Sequence, residues 1–396
     1  MVQTEVIAVE MCLFQSLILT VSLFSCSNAN IFTCPKRSDD VFKVLNSSES
    51  ELIFAHVIYR HGDRTIGHLY PNDPWREEIH WPEGYGALTN EGKRRHYKLG
   101  KFFMRRYGEI LGHKYSPNKV YVRSSDYDRT IMSAQANLAG MFRPTDDEIW
   151  NEDIGRVWQP IPIHVVPLKS EYLIANERKC PKFEAMFAKH EKESPEIQRI
   201  YSQYADQFLH WTQESGANIT TFREVKELYK TLLMERARYK TLPAWAEKAI
   251  ERNGVMGYIS KYHFKMRTDT PQLARLSTGF LIKEIFERFS KKINKTLQPD
   301  RSVWVYSAHD DTVANLLNSF GLFEIHIPPY ASSILLELYK NDENEHYIQM
   351  FYRKSDVEKP SPLNIPNCGE KCTLDRLYEL YSELIPGDFE TECRWP

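Results

Sequence analysis

Three short apolar runs in this chain each stop at a cluster that draws on Arg, His or Asp. Leu52-Ile53-Phe54-Ala55-His56-Val57-Ile58-Tyr59 runs into Arg60-His61-Gly62, and Lys119-Val120-Tyr121-Val122 into Arg123-Ser124-Ser125-Asp126. Ser302-Val303-Trp304-Val305-Tyr306-Ser307 runs into Ala308-His309-Asp310-Asp311. Runs this short and this continuously apolar read as strands covered on both faces, the habit of parallel sheets. Helical patterns lie between them, over 90–107, 127–142 and 271–290, with another from about 310 to 317. Strands alternating with helices select an α/β fold with a central, mostly parallel sheet flanked by helices. In open sheets of this kind ligands gather at the carboxyl ends of the strands. Arg60, His61, Arg64, Arg123, His309 and Asp310 are therefore expected around one crevice, although they are far apart in sequence.

The remaining chain divides around this pattern. Ile161 to Val166 reads as one more strand, and 333–339 with 347–352 as a hairpin turning at Asn341–Asn344. Residues 170–268 are rich in Glu, Lys, Tyr and Phe and poor in strand-like runs, so they read as a smaller α-helical cap inserted into the α/β domain. The α/β domain then comprises 30–169 and 269–396. Residues 1–29 read as a signal peptide. The apolar run 11–25 is shorter than the ~20 residues of a membrane span, and Ser27 and Ala29 suit cleavage after Ala29. Glu5 and Glu10, with no Lys or Arg before Met11, depart from the usual positive start; initiation at Met11 would remove that departure. A lumenal or secreted protein without a stable membrane anchor is expected.

Two further features fit that compartment. Cys12 and Cys26 would leave with the signal, and Cys34, Cys180, Cys368, Cys372 and Cys393 remain, an odd number that leaves one unpaired or paired between chains. Sequons at Asn46, Asn218 and Asn294 are candidate glycan sites. Lys plus Arg number 51 against 53 Asp plus Glu, a balance that argues against a surface coated in positive charge for nucleic acid. The basic stretch from Lys93 to Arg106 is accordingly read as a solvated helix face.

Arg60-His61-Gly62-Asp63-Arg64-Thr65 carries the sharpest chemical signal. Guanidinium groups fork onto the oxygens of a tetrahedral anion, each charge-assisted bond being worth about 1.5–3 kcal/mol. A His between two Arg can attack phosphorus and split one hard step into two. Nearby Arg would lower the His61 pKa and keep the ring neutral in acid. Asp310 is the candidate proton donor to the leaving oxygen. The same Arg cluster favours its ionised form, so an acidic working pH suits it.

These segments resemble the histidine acid phosphatase family, including its prostatic and lysosomal members. The resemblance runs from about residue 50 to the C-terminus. It rests on Arg60–Thr65, Leu88-Thr89-Asn90-Glu91-Gly92, Tyr121–Thr130, Trp158–His164 and Tyr306-Ser307-Ala308-His309-Asp310. It implies a phosphoglycerate-mutase-like sheet with a helical cap, and hydrolysis of phosphate monoesters with neither metal nor cofactor. It makes His61 the nucleophile, Arg60, Arg64, Arg123 and His309 the phosphate clamp, and Asp310 the donor. Small phosphomonoesters, phosphopeptides or nucleotides are the implied substrates, and a homodimer the implied assembly. It also implies disulfides Cys368–Cys372 and Cys180–Cys393; the spacing of Cys368 and Cys372 also lies within zinc-ligand spacings, but an oxidising compartment and the lack of a nearby Cys/His pair in the sequence leave half of a zinc site the lesser reading. Where the family usually has Pro, two residues after the second Arg, this chain has Ile66, which cannot fix φ and would loosen the loop. Two other readings stand beside this one. A phytase or inositol-polyphosphate phosphatase would need a wide basic pocket, which the mixed-sign insertion does not demand. A non-catalytic phosphate-binding glycoprotein would be favoured by loss of His61 or Asp310, and both are present.

Overall fold

Alternation along the central strands shows why the sheet is buried on both sides. In β1 (Ser50–Arg60), Phe54 and Ile58 join one apolar cluster while Ala55, Val57 and Tyr59 join another. Successive side chains of a strand point to opposite faces, so both faces must be covered. The computed structural model describes residues 50–355 and 358–394. The expected signal peptide, Cys34 and the Asn46 sequon lie outside the described residues.

In chain order, β1 is followed by α1 (Asn90–Leu111), β2 (Val120–Ser125), α2 (Asp128–Met141) and β3 (His164–Val166). Only helices follow to residue 293: α3 (Pro181–Glu193), α4 (Pro195–Gln203), α5 (Ala205–Ser215), α6 (Phe222–Ala237), α7 (Ala244–Ala249), α8 (Val255–Met266), α9 (Pro271–Ser277) and α10 (Gly279–Ile293). Then come β4 (Val303–Ala308), α11 (Asp310–Ser319), β5 (Ser333–Asn341), β6 (His346–Arg353), β7 (Ser361–Leu363), α12 (Leu374–Tyr381) and α13 (Phe389–Cys393). The sheet order is β3-β2-β4-β1-β5-β6-β7. The first four strands in that order are mutually parallel, and β5, β6 and β7 add antiparallel pairs. This is the expected mostly parallel α/β core. One face packs on α10 and α11 through Ile285, Phe289 and Leu316, the other on α1 and α2 through Leu99, Phe103 and Leu138. Residues of α4 to α8, among them Ile197, Phe208, Trp211, Phe222 and Ile259, bury a third cluster of their own.

The elements differ from the sequence reading mainly at their ends. Helix α1 runs to Leu111 rather than 107; Thr89 caps its start, accepting from the Gly92 amide at 3.1 Å. The expected helix over 271–290 is two helices. They meet where Gly279 lies so close to the chain that a Cβ there would sit 2.1 Å from the Leu384 carbonyl oxygen. The strand expected over 161–166 narrows to β3. Both implied disulfides are present, Cys180–Cys393 and Cys368–Cys372, so the latter pair is not half of a zinc site. Asn218 and Asn294 are exposed.

Helix α6 meets the loop after β1 at two buried carboxyl groups. Asp73 Oδ1 accepts from the Trp75 amide at 2.7 Å, whereas Asp73 Oδ2 and both Glu235 oxygens are buried without another partner. Burial raises the Glu235 carboxyl first, and Asp73 beside it adds to the shift against the weaker pull of Lys240. Burial likewise raises Asp73, against the Trp75 amide, Arg76 and His80. Groups whose folded pKa lies above the unfolded value bind protons more readily in the native state. Their stability is present in acid and is lost as pH rises through the folded pKa. The unfolding temperature should therefore fall between pH 5 and pH 8. Glu235→Gln should reduce that fall by roughly 5 °C, as read by thermal unfolding. An equal fall in both proteins would remove the pair as its cause.

Candidate active site

The parallel pairing of β1 with β4 continues one residue past the strand end. The His61 amide donates to the Ala308 carbonyl at 2.9 Å, and the Arg60 amide to that of Ser332 at 3.0 Å. The loop that follows is pressed against the start of α1. A Cβ on Gly62 would lie 2.7 Å from Gly92 Cα, and one on Gly92 would lie 2.5 Å from the Asp63 carbonyl oxygen. Only a glycine at each position permits that approach. The Gly62 amide donates to Ser133 Oγ at 3.0 Å, and Arg95 Nε to Asp63 Oδ2 at 2.7 Å. Ile66 is fully buried with Trp81 and Met234, and its carbonyl accepts from the Gly86 amide at 2.7 Å. Packing and this hydrogen bond hold residue 66 in place without the φ restraint of a proline ring.

His61 is 2% exposed, and its Nδ1 lies 2.8 Å from its neighbour's carbonyl, Gly62 O. A carbonyl only accepts, so Nδ1 carries the hydrogen and Nε2 of the neutral ring holds the lone pair. Burial above all, then Arg60, Arg129, His309 and Arg64, hold the ring well below the usual histidine range. Arg60 is fixed on three sides. It donates to the Pro328 carbonyl at 2.6 Å, pairs with Asp310 Oδ2 at 3.0 Å and lies 3.9 Å from the Tyr330 ring centroid. Arg64 donates to the Thr65 carbonyl at 2.8 Å.

Arg123 is not among these groups. Strand β2 runs to Ser125, so Arg123 is still inside it. Arg123 pairs at 2.8 Å with the fully buried Glu171, whose other oxygen accepts from the amides of Leu173 and Ile174. Its charge is committed to that strut. Arg129, in the first turn of α2, faces His61 instead. Its guanidinium lies over the Tyr127 ring at 4.4 Å, and its Nε is buried without a partner. Burial first and then the neighbouring Arg64 lower its pKa.

His309 is the cap residue of α11, with its ring 5.6 Å from that of His61. Its Nε2 lies 2.8 Å from Ser125 Oγ, and burial, followed by Arg129, pushes it down to about 3. Asp310 opens α11, where a helix N-terminus favours negative charge. It is 4% exposed; Oδ2 meets Arg60 at 3.0 Å and Lys230 at 3.1 Å, and Oδ1 accepts from the Asp311 amide. Burial alone would raise this carboxyl, but Arg60, Lys230 and Lys226 outweigh it and hold it well below the usual carboxylate range. Lys230 comes from α6, and its role was not read from sequence; the only signal was its spacing of four from Lys226. The structure thus brings together Arg60, His61, Arg64, His309 and Asp310 as expected, adds Arg129 and Lys230, and leaves out Arg123. A neutral imidazole lies among three guanidinium groups, and a carboxyl stands beside them.

Comparison with known proteins gives this arrangement a context. The chain is 36% identical over 348 residues to the prostatic acid phosphatase of Rattus norvegicus, covering 87% of this chain and 89% of that protein. It is 35% identical over 348 residues to the lysosomal acid phosphatase of the same species, covering 87% and 80%. Among solved structures, a phytase from Klebsiella sp ASR1 superposes with a TM-score of 0.61 at 15% identity, covering 88% of this chain and all of that one, a likeness of fold. Residues 67–353 match the model of the histidine phosphatase superfamily, branch 2, and with these relatives they show that the chain belongs to that family.

Proposed function

We propose that this chain is an acid phosphatase that hydrolyses phosphate monoesters through a phosphohistidine on His61. The observation that carries this reading is the buried, neutral Nε2 lone pair of His61, set among Arg60, Arg64 and Arg129. The acid phosphatase relatives at 35–36% identity support it. The phytase likeness, at 15% identity, speaks to fold alone and does not favour the inositol-polyphosphate alternative.

The chemistry follows from the placements. Arg60, Arg64, Arg129 and His309 hold the three non-bridging oxygens of the phosphoryl group. Nε2 forms a bond to phosphorus as the ester P–O bond breaks, and the protonated Asp310 gives its hydrogen to the departing oxygen. Free Asp310 is ionised by Arg60 and Lys230. A bound phosphoryl dianion competes for those cations and adds its own negative charge, so the carboxyl rises; acid pH adds to the protonated fraction. In the second half Asp310 takes a proton from water, the oxygen attacks phosphorus, the P–N bond breaks and phosphate leaves. Every group required belongs to this chain, so turnover should be indifferent to EDTA.

Helices α3 to α8 act in this reading as a cap that delivers Lys230 over the site. An extracytoplasmic protein, secreted or lysosomal, belongs to the same proposal. Two disulfides, exposed sequons at Asn218 and Asn294, and the prostatic and lysosomal relatives support it. Among the described residues no helix is long and apolar enough to cross a membrane. The homodimer implied by the resemblance is part of the reading, and sedimentation would test it.

Rapid quenching with a radiolabelled monoester should trap an acid-labile phosphoprotein with the label on His61. Turnover with the label elsewhere, or with no trapped label, would sink the proposal. Arg129→Ala should lower kcat/KM by about 10²–10³-fold, whereas Arg123→Ala should chiefly lower the unfolding temperature by freeing Glu171. Equal kinetic losses in the two variants would reject this assignment of the clamp.

A further inference from the structure

Helix α6 carries more positive charge toward the catalytic centre than the reaction uses. Arg223, Lys226 and Lys230 are spaced three and four apart, so they share one stripe of the helix. Lys230 touches Asp310 at 3.1 Å, and one turn earlier Lys226 lies 3.6 Å from Asp311. The stripe then enters a cavity of about 590 Å³, walled by α3, α6, α8, the segment before Cys180 and the first turn of α11. That size suits part of a small ligand.

Most of the cavity's carboxylates are already engaged. Glu177 accepts from Tyr127 Oη at 2.5 Å, and Glu191 from Tyr201 Oη at 2.7 Å. Glu227 meets His68 at 3.0 Å and Lys226 at 3.4 Å. Arg178 is held by Glu390. Glu184 stands exposed at the rim. Arg223 and Arg267 are different, because among the described residues neither has a carboxylate within ion-pair distance. Arg267 is instead laid over the rings of Phe183 and Phe187, at 4.8 and 5.9 Å, which fixes its guanidinium at the cavity wall. Burial first, and then Arg223, lower its pKa against the opposing pull of Asp311, Glu177 and Glu184. Two guanidiniums that line one cavity and repel each other gain from an anion placed between them. His263, 5% exposed, is kept neutral by burial and by Lys226, Arg267, Lys230 and Arg223, so one of its ring nitrogens carries a hydrogen to donate.

We propose that Arg223, Lys226, Arg267 and His263 form a second anion subsite, which selects phosphomonoesters whose leaving group carries a further phosphate or carboxylate. The inference rests on the phosphatase reading, because the leaving oxygen must lie at Asp310. From there the stripe on α6 leads the rest of the substrate past Lys230 and Lys226 to the two arginines.

Three compounds on one carbon frame test it: glycerol 3-phosphate, 3-phosphoglycerate and 2,3-bisphosphoglycerate. The last two add a carboxylate, and then a phosphate. In wild type, kcat/KM should rise about tenfold or more from the first to the preferred of the other two, and the order of those two identifies the anion. Arg223→Ala and Arg267→Ala should each cut that ratio severalfold or more. A fraction of misfolded protein lowers every rate alike and leaves the ratio unchanged. Calorimetric binding of the same compounds to the His61→Ala protein and to His61→Ala/Arg223→Ala gives a readout independent of turnover. Tighter binding of the doubly anionic compounds that Arg223→Ala abolishes supports the subsite whatever the rates show. Equal binding of all three, or discrimination untouched by Arg223→Ala, overturns the subsite and leaves the phosphatase reading standing.

Discussion

Replacing His61 with Ala should lower kcat for p-nitrophenyl phosphate by about 10⁵-fold, because no other group near the three arginines has a lone pair placed to take its role. His309 is the nearest ring, but its Nε2 is turned to Ser125 Oγ at 2.8 Å. The substitution removes one side-chain hydrogen bond, to the Gly62 carbonyl, while the backbone bonds that seat residue 61 on β4 and against Ala331 remain. The variant should therefore melt within a few degrees of wild type and bind inorganic phosphate, since Arg60, Arg64 and Arg129 are untouched. Steady-state assay, phosphate titration and thermal unfolding of the same preparation read all three. Residual activity above one part in a thousand would mean that another group attacks phosphorus. Loss of phosphate binding together with activity would mean that the loop has collapsed and that the rate says nothing about nucleophilicity.

Asp310→Asn should show a different signature, one that depends on the leaving group. An alkoxide cannot depart without a proton, so kcat for an alkyl phosphate should fall about 10³-fold. A p-nitrophenolate departs unaided, so formation of the phosphoenzyme from p-nitrophenyl phosphate should fall by roughly tenfold or less. Its hydrolysis loses the base that receives the proton of water. The variant should consequently give a burst of p-nitrophenol and accumulate labelled protein where wild type turns over. The neutral amide also removes a negative charge from between Arg60 and Lys230, leaving both cations to the phosphoryl group, so KM should not rise. Equal losses on alkyl and aryl substrates would assign Asp310 to charge balance rather than proton transfer.

The parallel core was legible because β1 and β4 are apolar on both faces, a pattern that few other folds impose. Arg60, His61, His309 and Asp310 were legible for the same reason, since each sits at the end of such a strand. Arg123 shows the limit of that logic. The apolar run of β2 ends at Val122, but its pairing with β4 continues through Ser124, where polar residues fill a sheet interior that composition marks as loop. The strand ends three residues beyond its apolar run, so Arg123 is still in the sheet. Arg129 lies in the same 121–130 stretch but belongs to the helix beyond the strand. Lys230 was hidden for another reason. Its contact with Asp310 spans 80 positions and joins two segments whose charge patterns carry no mark of each other. The Asp73–Glu235 contact is hidden in the same way, because no sequence pattern announces two carboxyls buried together.

The sheet order has a consequence for how the chain is made. Among the described residues the first strand to emerge, β1, lies at the middle of the sheet, and its two neighbours, β4 and β5, begin only at Val303 and Ser333. During synthesis an apolar segment that leads into His61 waits with both edges open while more than half the chain follows. Pairing across such separations is intrinsically slow and leaves the waiting strand available to other chains. A protein cut short before residue 303 would keep helices with sound local patterns and yet offer an unpartnered strand, so premature termination should yield insoluble material rather than a weakened enzyme.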